Sequence, residues 1–287
     1  MKPAPFEYCR PDTLDEALEL LQEFGPDASV LAGGMSLGAM LNMRLVRPSA
    51  VVDIKRIPGL DAAIVTAEVR TGATLTQAEA LENEALMRTV PLLALALPWV
   101  GHFQTRNRGT LCGSVAHADP SAEMPLVLTT LDGEVELQSV RGKRRLRARE
   151  FFVDLMTTAR AHDELLTALV WPARRQKTRH AFVEIAQRHG DFAIVACAVE
   201  TAVDVQGRVV SLTLGLGGVE GRPVVADTTE FIGERARPAL AQAVAAAAAE
   251  RLDPMTDFNV SAAYRRALVR TLGAQAIAEA FAAGPTN

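Results

Sequence analysis

The sequence predicts an α+β protein built in two parts, and three observations carry the prediction. A capped amphipathic helix, a short apolar strand and a glycine turn follow one another in residues 13–34, so the chain opens as a compact βαβ-like unit. Around residues 172–178 a polar, basic stretch interrupts the pattern and marks a domain boundary. Beyond it strands come first and helices after, the order of an α+β domain. One domain is therefore placed at 1–175, with subdomains of about 1–57 and 58–175, and a second at 176–287.

The elements follow in order. Thr13 and Glu16 form a capping box, and Leu14, Leu18, Leu21 and Phe24 keep helical spacing until Gly25 and Pro26 stop it. Residues 29–31 read as a short buried strand and the Gly33-Gly34 loop follows. Residues 37–45 read as a helix ended before Pro48, and 50–54 as a second strand. A hairpin is expected at 63–66 and 68–72, then helices at 76–87 and 89–100. A second glycine-bearing loop spans 108–114 and precedes Ala116-His117-Ala118-Asp119-Pro120. Strands are expected at 133–140, 143–147 and 164–171. After the boundary come strands at 180–186, 193–205 and 208–216, then helices at 238–251 and 261–283.

Composition removes several classes of function. The 287 residues are 49% hydrophobic and 22% charged with a net charge of −4, which suits a globular protein and does not suggest a nucleic-acid partner. One dense basic run, Arg141 to Arg147, lacks interleaved aromatic residues, so it reads as a solvated hairpin or a subunit contact. Lys2 is followed by Pro3, Pro5 and Glu7 with no apolar region, so no signal peptide is expected. The longest apolar run, 239–249, is alanine-rich and too small-sided for a membrane span. Cys9, Cys112 and Cys197 suit reduced thiols in a cytoplasm, and three cysteines cannot supply a four-thiolate cluster. His102, His162, His180 and His189 are scattered without metal-ligand spacing. Any redox metal would sit on another subunit.

The chemistry-bearing candidate is the turn at residues 32–37. Gly34-Met35-Ser36-Leu37-Gly38 spells G-x-S-x-G, the nucleophile elbow of serine hydrolases. That elbow follows a central strand of a large sheet, and too little chain precedes Ser36 to supply the earlier strands and the oxyanion loop. The other reading needs backbone N–H groups free to converge on phosphate oxygens with no Cβ in the way, which Gly33 and Gly34 allow, and Ser36 adds a hydroxyl donor. Gly109-Thr110-Leu111-Cys112-Gly113-Ser114 is a second segment of this kind. Two such loops can hold the two phosphates of a dinucleotide from opposite sides. The nearest Rossmann-like string, Gly215 to Gly221, fails the third-glycine spacing.

Three segments together resemble a known family: Ala32-Gly33-Gly34-x-Ser36-Leu37, Arg106-Asn107-Arg108-Gly109-Thr110-Leu111-x-Gly113-Ser114, and Ala116-His117-Ala118-Asp119-Pro120 continuing to Glu123. They are similar to the FAD-binding medium (flavoprotein) subunit of molybdenum hydroxylases, the xanthine dehydrogenase and carbon monoxide dehydrogenase type. The resemblance spans essentially the whole chain, with Arg188-x-Gly190-Asp191-Phe192 late on. It implies a two-subdomain FAD-binding (PCMH-like) N-terminal domain, then a C-terminal domain with a three-stranded antiparallel sheet and helices.

By the same resemblance, Ala32, Gly33, Gly34, Ser36 and Leu37 cradle the pyrophosphate with Thr110, Gly113 and Ser114, and Met35 is counted with them as cofactor-binding. His117 touches flavin or phosphate, or only packs its loop. Asp119 shapes the turn that carries Glu123, which stands where the family often has the Asp that bonds the adenosine ribose. Asp191 and Phe192 approach the isoalloxazine side. Met35 stands where the family often has Gln, His or Thr, and Cys112 replaces the first glycine of a usual pair; a redox role for its thiol is one reading. The implied function is electron transfer: the chain binds FAD and takes electrons from [2Fe–2S] clusters on a small partner subunit. The molybdopterin lies on a large one, and the assembly is a dimer of heterotrimers. No catalytic residue and no metal ligand are expected on this chain. A stand-alone FAD oxidoreductase of similar fold is the alternative. Neither the substrate nor the final acceptor is legible.

Overall fold

The computed structural model describes residues 2–172 and 177–283, so the boundary expected at 175/176 lies outside the described residues. The first unit holds β1 (Glu7–Cys9), α1 (Leu14–Phe24), β2 (Ala28–Leu31), α2 (Leu37–Asn42) and β3 (Ala50–Asp53). Its sheet is parallel, in the order β1-β3-β2, with Tyr8 opposite Val51 and Val30 opposite Val52. The capping box forms as read: Thr13 Oγ1 accepts from Glu16 N and the Glu16 carboxylate accepts from Thr13 N. Ala17, Leu18 and Leu21 are the buried face of α1. Helix α2 stops at Asn42, earlier than expected, and Arg44 takes a φ of 57°.

The second unit runs through β4 (Ala63–Val65), β5 (Val69–Gly72), α3 (Gln77–Glu82), α4 (Glu84–Thr89), α5 (Pro91–Ala96), α6 (Phe103–Arg106), α7 (Leu111–His117) and α8 (Glu123–Thr130). It continues as β6 (Glu134–Ser139), β7 (Gly142–Arg147), α9 (Ala148–Phe151), β8 (Phe152–Asp154), β9 (Thr157–Thr158) and β10 (Leu165–Trp171). Its main sheet has the order β4-β5-β10-β6-β7, antiparallel throughout. The two helices expected over 76–100 are three, because Asn83 ends α3 and its side chain caps α4 by accepting from Leu86 N. The basic run lies on the exposed hairpin strand β7, where Arg144 pairs with Glu164, Arg145 with Glu68, and Arg147 with Asp132.

The third unit has β11 (Thr178–Ile185), β12 (Val195–Val203), β13 (Val209–Gly217), β14 (Val224–Ala226), α10 (Pro238–Arg251) and α11 (Ala262–Ala282). The three antiparallel strands expected here pair in sequence, and the short β14 extends the edge. Strand alternation splits β12 between two cores. Val195, Cys197 and Val199 face α10 and α11, whereas Ala196 and Ala198 join the core of the second unit, where α5 and α8 pack on the same sheet. Helix α8 is buried over its whole length, which fixes Glu123 at the seam between the two units. Among the described residues, no helix is long and apolar enough to cross a membrane, and no group of three or more potential ligands could hold a metal.

Candidate functional site: a cleft under two glycine turns

Strand β2 ends at Leu31, and the chain turns through Ala32, Gly33, Gly34, Met35 and Ser36 before α2. Gly34 has a φ of 73°, a left-handed backbone that a side chain would strain. Gly33 answers a different demand. A Cβ there would fall 2.1 Å from the Arg108 carbonyl oxygen and 2.9 Å from Gly109 Cα. The two glycine segments are thus in backbone contact, which only an absent side chain permits. The Gly38 N–H returns to Gly34 O at 2.9 Å and the Met40 N–H to Ser36 O at 3.0 Å. Among the described residues, the N–H groups from Gly33 to Leu37 make no hydrogen bond.

The second segment is not the loop expected from sequence. It is the start of α7, capped by Thr110, whose Oγ1 accepts from Gly113 N at 2.8 Å. Gly109 O accepts from Gln77 N at 2.8 Å and Leu75 O accepts from Leu111 N at 3.2 Å, so the segment is stitched to the entry of α3. The cap occupies the Gly113 N–H; the Thr110 hydroxyl keeps its own proton to donate.

Beneath these turns lies a cleft of about 800 Å³, within the size range of small-molecule sites. Every site residue read from sequence lines it except Asp119. Asp119 sits outside, where its carboxylate accepts from Ser121 N at 2.8 Å and shapes the turn into α8. Ser36 has no cap bond, and no histidine or acid hydrogen-bonds its side chain among the described residues, so the elbow has no triad. Met35 is 43% exposed and Phe192 57% exposed, giving apolar surface at the mouth. Phe192 follows a turn in which Asp191 N donates to Arg188 O, with Gly190 at a φ of 88°.

Two groups differ electrostatically from the sequence reading. Glu123 is buried, and burial pushes its carboxyl up to about 7. Cys112 lines the cleft, yet its thiol donates to Gly72 O at 3.4 Å and to Thr71 O at 3.6 Å. Burial pushes that thiol well above its ordinary value, which disfavours the reactive thiolate and weighs against the redox reading.

The sequence reading missed part of the lining. Gln77, Met156 and Arg160 all face the cleft. Arg160 Nη1 donates to the carbonyls of Ala161, His162 and Glu164, while the neighbouring acids Asp163 and Glu164 are taken by Arg141 and Arg144. The histidines are not all scattered: His189 meets His102 at 6.2 Å and Trp99 at 6.0 Å between ring centroids, beside Gly190.

A dinucleotide needs phosphate-facing N–H groups, glycine clearance and an apolar bed for rings, and FAD fits this donor set and shape. Residues 4–174 match the FAD binding domain in molybdopterin dehydrogenase, and residues 180–280 match the CO dehydrogenase flavoprotein C-terminal domain. The chain is similar to the 6-hydroxypseudooxynicotine dehydrogenase complex subunit alpha of Paenarthrobacter nicotinovorans, 37% identical over 98% of this chain and 96% of that protein. It is also similar to the nicotine 6-hydroxylase medium subunit of the same organism, 36% identical over 98% and 99%. Among solved structures, quinoline 2-oxidoreductase from Pseudomonas putida 86 superposes with a TM-score of 0.93 at 32% identity, covering 98% of this chain and 99% of that one.

Proposed function

The chain belongs to the family of FAD-binding medium subunits of molybdenum hydroxylases, and from that premise we propose that it carries electrons between a partner's [2Fe–2S] clusters and an external acceptor. The observation that supports this most is the backbone contact of Gly33 with Arg108 and Gly109, which brings two sets of phosphate donors over one cleft. Bound FAD supplies the junction chemistry, since a flavin accepts electrons singly and releases them singly or in pairs.

This chain's own residues bind and orient. The free N–H groups from Gly33 to Leu37, the Ser36 hydroxyl and the Thr110 hydroxyl hold the diphosphate. Glu123, Asp191 and Phe192 line the same cleft; on this reading Glu123 would meet the adenosine ribose, and Asp191 and Phe192 would border the ring system. Met35 replaces a polar contact with a thioether packed at the rim. The relatives are named for substrates as different as nicotine, caffeine, glyceraldehyde, carbon monoxide and xanthine, and substrate recognition belongs to a large molybdopterin-binding subunit. A small [2Fe–2S] subunit completes the trimer, two trimers pair, and the buried cysteines fit a cytoplasmic setting.

Co-expression with the two partner chains tests the proposal. The three are expected to co-purify and the flavin to bleach when the substrate of the large subunit is added. A lone FAD-loaded chain that oxidises the same substrate would establish the stand-alone oxidoreductase instead.

A further inference from the structure

Arg160 follows the β8–β9 hairpin and lines the cleft, the one arginine or lysine to do so among the described residues. It is half-buried, and its neighbours leave its charge uncompensated. Asp163 pairs with Arg141 and Glu164 with Arg144, and no carboxylate stands within ion-pair distance of Arg160 among the described residues. Only Nη1 is tied down, to the carbonyls of Ala161 at 3.2 Å, His162 at 3.4 Å and Glu164 at 2.6 Å. Nε and Nη2 donate to nothing among the described residues, and neither atom is sealed from solvent, so both stay open to a ligand. A half-buried cation without a counter-charge is costly, which asks for an electron-rich partner.

The place of the guanidinium narrows the partner. It curls onto the loop that carries His162, and a Cβ on Gly25 would lie 3.6 Å from His162 Cδ2. Gly25 precedes β2, whereas the phosphate-facing turn follows the far end of that four-residue strand, about 10 Å on. We propose that Arg160 is a further cofactor-binding residue, whose Nε–H and Nη2–H meet the pyrimidine edge of the isoalloxazine at N1 and the C2 carbonyl. The inference rests on the FAD reading and adds a contact to it. The guanidinium offers two donors side by side, and that edge offers two acceptors side by side, an arrangement that adenine lacks. Two electrons and one proton convert the oxidised ring to its anionic reduced form, with the negative charge at this edge. A fixed cation there favours reduced over oxidised FAD.

The test uses the full chain, loaded with FAD and freed of it. Arg160→Gln removes the charge yet can still donate to the loop carbonyls. The ratio of its dissociation constants for reduced and oxidised FAD is expected to rise about tenfold, read as a fall of about 30 mV in the two-electron potential. Arg160→Lys keeps a charge and is expected to recover most of that fall. ADP, which carries the diphosphate without the flavin ring, should bind Arg160→Gln as it binds the parent. The parent alone supplies a second reading. A reduced ring held anionic takes up one proton per two electrons, so its potential should fall by about 30 mV per pH unit even at mildly acid pH. An unchanged potential in Arg160→Gln, a loss of ADP affinity that matches the loss of FAD affinity, or a parent slope near ~60 mV per pH unit at mildly acid pH would each overturn the inference. If Arg160→Gln fails to fold, Arg160→Lys and the parent slope still decide. If the parent takes up no FAD, the cofactor reading falls and takes this inference with it.

Discussion

Gly33 and Arg108 meet through backbone alone: a Cβ on Gly33 would stand 2.1 Å from the Arg108 carbonyl oxygen. The contact closes the roof of the cleft and ties the start of α2 to the start of α7. Gly33→Ala must push these segments apart, at a cost of about 1–3 kcal/mol in stability. The expected outcome is a lower melting point together with loss of FAD uptake, read by calorimetry and by flavin absorbance after gel filtration. Gly38 is the control, because nothing lies within 4 Å of a Cβ there. Gly38→Ala should bind FAD as the parent does.

Thr110 caps α7 and fastens Gly113. Thr110→Ala should cost about 1 kcal/mol, a shift of roughly 2–4 °C in a protein of this size. It should also weaken FAD binding through the lost hydroxyl donor. Thr110→Ser keeps both interactions and should restore most of each. Equal behaviour of the two variants would show that the hydroxyl contributes nothing.

The buried acids predict a pH dependence. Burial pushes Glu123 up to about 7 from 4.5, and burial with the nearby Glu123 charge pushes Glu184 up to about 8. Both groups hold protons more tightly in the folded chain than in the unfolded one. Their stabilising contribution is therefore complete below about pH 4 and is lost as pH rises through 7 and 8. Urea unfolding of the apo chain should show stability falling from pH 5 to pH 8, and Glu123→Gln should flatten part of that slope. A slope unaltered by the substitution would contradict the assignment.

The thiols should be inert. Cys112 and Cys197 are buried and their thiols are raised by desolvation, so native protein should label at neither position until it is unfolded. Cys112→Ser preserves a donor toward the Thr71 and Gly72 carbonyls. It should leave flavin affinity and reduction potential unchanged. A shifted potential would return Cys112 to the redox chemistry.

Much of this was legible in the sequence because local signals agree with the global fold. Thr13 with Glu16, the 63–72 hairpin and the long strands of the third unit each carry their own punctuation or periodicity. Strand β1 was missed because three residues, Glu7 to Cys9, show no pattern, and their place is set by distant Ala50 to Val52. Helix α8 was missed because it is buried all round and so has no polar face to mark a period. The 108–114 segment read as a loop because its glycines mask a capped helix start. Gln77 carries no motif; only tertiary pairing of the 75–77 and 109–111 backbones places it at the site.

The central claim is that the cleft under Gly33 and Gly109 holds FAD. Titrating the flavin-free chain with FAD by calorimetry, beside Gly33→Ala, tests it most directly. One FAD per chain, with binding abolished in Gly33→Ala and kept in Gly38→Ala, is the predicted result. A parent chain that takes up no flavin, or a Gly33→Ala chain that binds as the parent does, would contradict it.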